Sequence, residues 1–318
     1  MSAERTSCSL SQLIRDRAYR LRQIRQYLDG AGLFEVDVPA LVSVPPNDDH
    51  IDLFEVAVGK GLRYLHSSPE YGMKRLLAEG APDIYQISHV YRAAEIGPLH
   101  NPEFLMLEWY RKGWQLETLI TETAAVMRLL LGPLELKVSR YWNLLEQAVG
   151  FDIYGWHKSD LLRLMTDHGI ALSSELYSAT HTDLIQLLFT HLVEPHLGAT
   201  AIEVVRDYPD DQAALAQIVE IGDRPVAQRF EAYYNGVELC NGYQELADVA
   251  ELRQRFLKSN RLRIERGLAP YAIDEEFIVQ VSKIGPYAGV ALGLDRLLML
   301  SMNRYPLAAA LPICWQES

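Results

Sequence analysis

The chain has 318 residues, of which 49% are hydrophobic and 23% charged, and its formal net charge is −12. That length and apolar content sustain a full core, in one large domain or two ordinary ones. The acidic balance argues against a protein whose main task is non-specific grip on nucleic acid, because that needs excess Lys and Arg to displace counterions.

Met1 to Cys8 carries no apolar leader core, and no apolar run reaches membrane-spanning length. Cys8, Cys240 and Cys314 form neither a CxxC pair nor a disulfide framework. A cytoplasmic protein is expected, in a reducing compartment, with no membrane partner and no zinc.

Leu13, Ile14, Leu21, Ile24 and Leu28 recur at helical spacing and predict an amphipathic helix over 10–29 that stops at Gly30 and Gly32. Leu33 to Val38 then alternates like a strand and ends at Pro39. Ser68 reads as an N-cap with Pro69 at the first helical position, followed by a helix that stops near Gly80. Lys74 and Arg75 are expected on its solvated face. Strands are predicted from Asp83 to Arg92 and from Glu103 to Arg111, around a loop with Gly97, Pro98 and Pro102.

From about 115 to 198 the pattern is helical, with series such as Leu116, Leu119, Ile120 and Leu184, Leu187, Leu188. No linker composition bounds this stretch, so it reads as an insertion between catalytic strands. Asn235-Gly236, between strands predicted over 226–234 and 237–246, is the strongest short hairpin signal available. Helices follow over 248–266 and 274–281, and 287–300 predicts a strand running into a helix. There is no internal repeat.

The hairpin from Tyr85 to Arg111 carries Arg92 at one end of its loop and His100-Asn101-Pro102-Glu103-Phe104 at the other. A guanidinium matches phosphate oxygens bidentately, and an aromatic face can stack on a base, so this arrangement can grip a nucleoside triphosphate. Gly289-Val-Ala291-Leu-Gly293-Leu-Asp295-Arg296 joins a small-residue strand to a helix with an arginine at the junction, which again suits phosphate.

In the run from Glu238 to Asp248, a regular strand would put Glu238 with Cys240 and Gly242 on one face and Asn241, Tyr243 and Glu245 on the other, unless Gly242 introduces a bulge. Carboxylates beside a triphosphate can hold magnesium or receive an ammonium group. Taken alone, such a pair more often lies on a solvated face. His66 and His89 read as structural, Pro195 keeps His191 and His196 off one helical face, and Tyr233 and Tyr234 read as strand packing.

In this order the pieces resemble the class II aminoacyl-tRNA synthetases, in their lysine-specific branch. The opening helix, strand and Pro39 resemble motif 1, the 85–111 hairpin motif 2, and 289–296 motif 3, while Glu238 to Leu246 resembles their Glu-x-x-Asn-Gly-x-x-Glu-Leu stretch. The resemblance implies an α+β fold, an antiparallel sheet flanked by helices, in one catalytic domain over 1–318 with the helical insertion at about 115–198. No N-terminal anticodon-binding OB-fold precedes motif 1, and Ala291 stands where the synthetases read glycine. Both features are similar to the truncated paralogues that attach (R)-β-lysine to elongation factor P. One added methyl in a packed pocket alters the shape of substrate it accepts.

The resemblance also implies roles. Arg92, Glu238 and Arg296 would be catalytic, at the α-phosphate, magnesium and the γ-phosphate. Glu95, His100, Asn101, Phe104, Leu239 and Gly293 would complete the ATP site, with Phe104 on the adenine. Ser68 and Glu70 would receive the substrate's backbone-end amine, Tyr110 and Glu245 its side-chain ammonium, and Asn241 its carboxylate, in a pocket shaped by Ala291. ATP is implied as a substrate with Mg, lysine or (R)-β-lysine as the other, elongation factor P as acceptor and a second copy as partner; tRNA binding is not expected.

Two departures stand out. Ala94 occupies the place of a motif 2 glutamate, leaving Glu95 one position late, and Leu99 precedes His100 where related proteins place a basic residue. A truncated synthetase charging tRNA or another amine, and a non-catalytic amino-acid sensor, stay open as alternatives.

Overall fold

The Ser9 hydroxyl accepts the Gln12 N–H at 3.3 Å and starts α1 (Leu10–Gly30), which buries Leu13, Ile24 and Leu28. This computed structural model describes residues 9–45, 51–177 and 179–315, so the stretch ending at Cys8 lies outside the described residues. Two compact units form, 1–133 with 244–318, and 134–243. Among the described residues no helix is long and apolar enough to cross a membrane.

In the first unit the predicted 33–38 strand shrinks to β1 (Phe34–Glu35). A small antiparallel sheet follows that sequence reasoning did not find: β2 (Leu41–Val42), β3 (Glu55–Val58) and β4 (Gly61–Leu65), in the order β2-β4-β3. Next comes α2 (Glu70–Ala78), whose N-cap is Pro69. The predicted start is therefore one residue early, and the Ser68 hydroxyl instead accepts the Glu70 N–H at 3.0 Å from just outside the helix.

The hairpin strands are β5 (Ile84–Tyr91) and β6 (Glu103–Lys112), close to their predicted bounds, and α3 (Leu116–Leu131) covers apolar positions as expected.

The second unit contains β7 (Leu136–Arg140), α4 (Tyr141–Val149), α5 (Lys158–Asp167), α6 (His181–Leu192), β8 (Ile202–Pro209), β9 (Ile218–Ile221), β10 (Arg224–Tyr234) and β11 (Val237–Gln244). Its core centres on Tyr141, which stacks on Phe189 at 4.0 Å between centroids and tilts against Tyr208 at 4.9 Å. The 115–198 stretch is not wholly helical, because β7 pairs in parallel with β8.

Asn235 and Gly236 take φ of 53° and 71°, the left-handed pair that a tight two-residue hairpin needs, and join β10 to β11. Opposite Ala232 and Tyr233 stand Cys240 and Glu238, so Leu239 is an extra residue in β11. The predicted alternation is thereby corrected. The bulge lies at Leu239, not at Gly242, and shifts parity so that Glu238 shares the side of Asn241 rather than that of Cys240.

The chain re-enters the first unit with α7 (Val249–Glu265), capped by Asp248, and α8 (Glu275–Val281), capped by Asp274, whose carboxylates accept from Glu251 and Phe277 N–H at 2.8 and 2.9 Å. It ends in β12 (Tyr287–Gly293) and α9 (Leu294–Ser301). The strand order here is β1-β5-β6-β12 and in the second unit β11-β10-β8-β7, with β9 also on β10. Pairing is antiparallel except for β1 on β5 and β7 on β8, which qualifies the antiparallel expectation at two strands.

Asp295, at the start of α9, ties three elements together. It is 4% exposed and accepts from Arg17 Nη2 of α1 at 2.5 Å and from the Leu105 N–H of β6 at 2.7 Å. Removing it leaves a buried guanidinium and a buried N–H without that partner. Asp295→Ala is expected to lower the unfolding free energy by about 3–5 kcal/mol in urea denaturation, and a change within experimental error would refute the tie.

Candidate active site

Strand register assembles the site's floor. Gly289, Ala291 and Gly293 of β12 stand opposite Tyr110, Glu108 and Met106 of β6, and Gln86 of β5 stands opposite Glu108 from the other side. Since side chains alternate, Phe104, Glu108, Tyr110, Ala291 and Gly293 share one face. Small residues on β12 let neighbouring side chains lie close against its backbone. A Cβ at Gly289 would collide with the Tyr110 ring and sit 2.7 Å from Glu245 Oε1.

Over this floor the predicted amine ligands Ser68, Glu70, Tyr110 and Glu245 gather around two residues that sequence reasoning missed, Glu108 and Lys74. Glu108 is 2% exposed and accepts from the Ser68 and Tyr110 hydroxyls, each at 2.6 Å. Burial, with Glu70 nearby, pushes its carboxyl up to about 7 against the opposing hydrogen bonds and Lys74. The signal available in the sequence is a lone acid in the apolar run Phe104 to Trp109.

Lys74 contradicts its predicted place on a solvated face. It is 1% exposed, with Nζ at 2.5 Å from Glu70 Oε1 and 2.6 Å from Glu245 Oε2. Its spacing from Tyr71 and Leu77, both buried, was the missed sign. Burial pulls the Lys74 pKa down, but Glu245 and Glu70 outweigh it and keep the ammonium charged. Burial likewise pushes the Glu245 carboxyl up against the pull of Lys74. Arg75, the neighbour predicted to be solvated, is about one-third exposed and pairs with Asp274.

The other predicted group lies at the loop between β5 and β6. Arg92 donates to Glu95 Oε1 at 3.2 Å, and its guanidinium lies 5.2 Å from the Phe104 ring centroid. Arg296 Nε donates to the Leu99 carbonyl at 3.2 Å, and Nη2 lies 2.5 Å from His100 Nε2. Burial and Arg296 hold the His100 pKa below its ordinary value, so His100 stays neutral and does not replace the basic residue missing at Leu99. Asn101 is 4% exposed, packed within the loop's base.

Glu238, Leu239 and Asn241 belong to the second unit. Leu239 is the buried bulge residue. The Asn241 amide is oriented by Arg229, whose Nε donates to Oδ1 at 3.1 Å, while Nδ2 donates to the Tyr243 hydroxyl at 2.8 Å. Arg229 in turn donates to Glu231 at 2.6 Å, and the Tyr208 and Tyr233 hydroxyls donate to the same carboxylate at 2.6 and 2.5 Å. Tyr233 therefore hydrogen-bonds as well as packs.

His66 Nε2 bonds the His89 carbonyl at 3.1 Å and His191 Nδ1 the Leu187 carbonyl at 2.9 Å. Among the described residues no three His, Cys, Asp or Glu converge on a metal position. Magnesium beside a nucleotide needs no such cage, since one or two carboxylates and phosphate oxygens suffice, so a single residue such as Glu238 fits that chemistry.

An ammonium ligand needs Glu108 ionised. Affinity for a diamino ligand, read by calorimetry, is expected to rise as pH climbs through about 7 and to level off above it; a flat profile from pH 6 to 8 (about the reach of one carboxyl) would contradict this. The sign reverses for the empty protein. Because its folded pKa lies above the ordinary 4.5, Glu108 contributes stability below that value and loses it as pH rises through about 7.

Comparison with known proteins agrees with this geometry. The family model described as "tRNA synthetases class II (D, K and N)" matches residues 4–311. A Haemophilus ducreyi protein named elongation factor P--(R)-beta-lysine ligase is 38% identical over 299 residues, 92% of this chain and 90% of its own. Proteins of the same name from Pseudoalteromonas translucida and Edwardsiella ictaluri are 39% and 38% identical over 94% and 95% of this chain, covering 93% and 94% of theirs. With a family match across nearly its whole length and relatives this similar, the chain belongs to the class II tRNA synthetases of the D, K and N group.

Proposed function

We propose that this protein activates (R)-β-lysine, or lysine, with ATP and transfers it to the ε-amine of a lysine on elongation factor P. The observation that carries this reading is the gathering of three carboxylates, Glu108 and Glu245 buried and Glu70 partly exposed, around the Lys74 ammonium and the Ser68 and Tyr110 hydroxyls. Such a pocket selects ammonium groups, and the names of the relatives supply the acceptor.

The substrate carboxylate attacks the α-phosphorus of ATP in line, the bond to the β-phosphate oxygen breaks, and pyrophosphate leaves. Arg92 stabilises charge at the α-phosphate and Arg296 at the γ-phosphate, with Phe104 under the adenine and Glu95, His100, Asn101, Leu239 and Gly293 completing the ATP site. Ser68, Glu70, Tyr110 and Glu245 hold the two amines, joined by Glu108, and Asn241 takes the carboxylate. Magnesium, which ATP use in this family generally involves, would be held by Glu238 with phosphate oxygens and would neutralise phosphate charge. The acceptor amine then attacks the acyl carbon, AMP leaves, and the amine gives up a proton as the amide forms.

One family model matching residues 4–311 supports a single catalytic domain. Leu10 and Ile14, one turn apart on α1, are 49% and 48% exposed, and apolar side chains left in water on this helix support pairing with a second copy.

Pyrophosphate exchange tests the reading. Exchange is expected with (R)-β-lysine and lysine but about 10⁴-fold weaker with norleucine, which lacks the side-chain ammonium. Arg92→Ala is expected to lower kcat by about 10²–10³, and elongation factor P should gain the mass of one lysyl group. Exchange with no amino acid would overturn the proposal, and transfer to tRNA in place of the factor would redirect it.

A further inference from the structure

The reaction as proposed gives Lys74 no task, although its ammonium sits at the centre of the pocket. Glu70 of α2 and Glu245, beyond β11, hold it at 2.5 and 2.6 Å, and the rings of Tyr110 and Tyr287 lie 5.7 and 5.8 Å from the same nitrogen. Glu108 of β6 adds a third carboxylate within electrostatic reach. A buried cation there has two effects. It pins one oxygen of Glu70 and one of Glu245, and with Oε2 so held, Glu245 Oε1 turns toward Gly289 of β12. Its charge also cancels one of three negative charges, leaving two for a ligand to balance.

We propose that Lys74 is a positioning and specificity-determining residue for diamino acids: by holding Glu70 and Glu245 it sets the pocket's charge so that a ligand with two ammonium groups brings it to neutrality. A monoamino acid would leave one buried carboxylate uncompensated, an unfavourable state in low dielectric. Burial raises the Glu108 and Glu245 carboxyls, and the ligand's ammonium groups would draw both back toward the ionised form. The inference rests on the amino-acid-activating reading above.

Lys74→Met keeps most of the side chain's length and removes its charge. In pyrophosphate exchange with lysine its KM is expected to rise about tenfold or more while kcat falls less than about threefold. The acid limb of kcat/KM should move up by about one pH unit, because the carboxylates lose their nearest cation. The double variant E70Q/K74M restores the pocket's formal charge and should return the acid limb to its wild-type position. Damage from a merely structural role would instead add up.

An active wild type beside a folded K74M with the same KM and the same acid limb overturns this inference alone. A wild type that exchanges with no amino acid overturns the parent reading and this one with it. Should K74M not fold, E70Q/K74M decides: a wild-type acid limb supports the proposal, and one displaced by more than about a pH unit refutes it.

Discussion

An ammonium taken wholly out of water is the constraint around which the pocket is organised. Lys74 could not stay charged at 1% exposure without Glu70 and Glu245, and the buried Glu245 carboxylate has in Lys74 the cation that offsets its burial. Each further feature follows. Gly289 is bare because a methyl group would press on Tyr110 and Glu245. Ser68 and Tyr110 turn their hydroxyls to Glu108 because a third buried carboxylate needs donors on both oxygens.

Much of this frame is legible in the chain itself. The alternation of β5 and β6, the Asn235-Gly236 turn and the Asp248 and Asp274 caps are local signals, and local signals survive folding. What stayed hidden depends on partners far along the chain. Lys74 looks like any helical lysine until Glu245, 171 residues away, is placed beside it, and Glu108 looks like an ordinary strand acid until Ser68, 40 residues earlier, meets it. The strands β2, β3, β4 and β7 run only two to five residues, too short for a period to declare itself.

The loop between β5 and β6 shows a different economy of charge. Arg92 and Arg296 are each held by neighbours: Glu95 and the Phe104 ring for one, the Leu99 carbonyl and His100 for the other. With Leu99 in place of a basic side chain and His100 held neutral, positive charge at this end of the site comes chiefly from the two arginines. A guanidinium cannot lose its proton near neutral pH, so the end proposed to bind phosphate would keep its charge across the range in which the Glu108 carboxyl ionises.

The extra residue at Leu239 carries a consequence for how such a chain can change over generations. Substituting Leu239 by another apolar residue would leave the strand's parity alone. Deleting it would restore regular pairing with Cys240 still opposite Ala232 and Glu238 still opposite Tyr233, so Glu238 would stay on the side of Asn241. The pairing set by the hairpin turn, rather than the residue at 239, therefore decides which way Glu238 faces, and the strand can exchange or lose that one residue without hiding the acid.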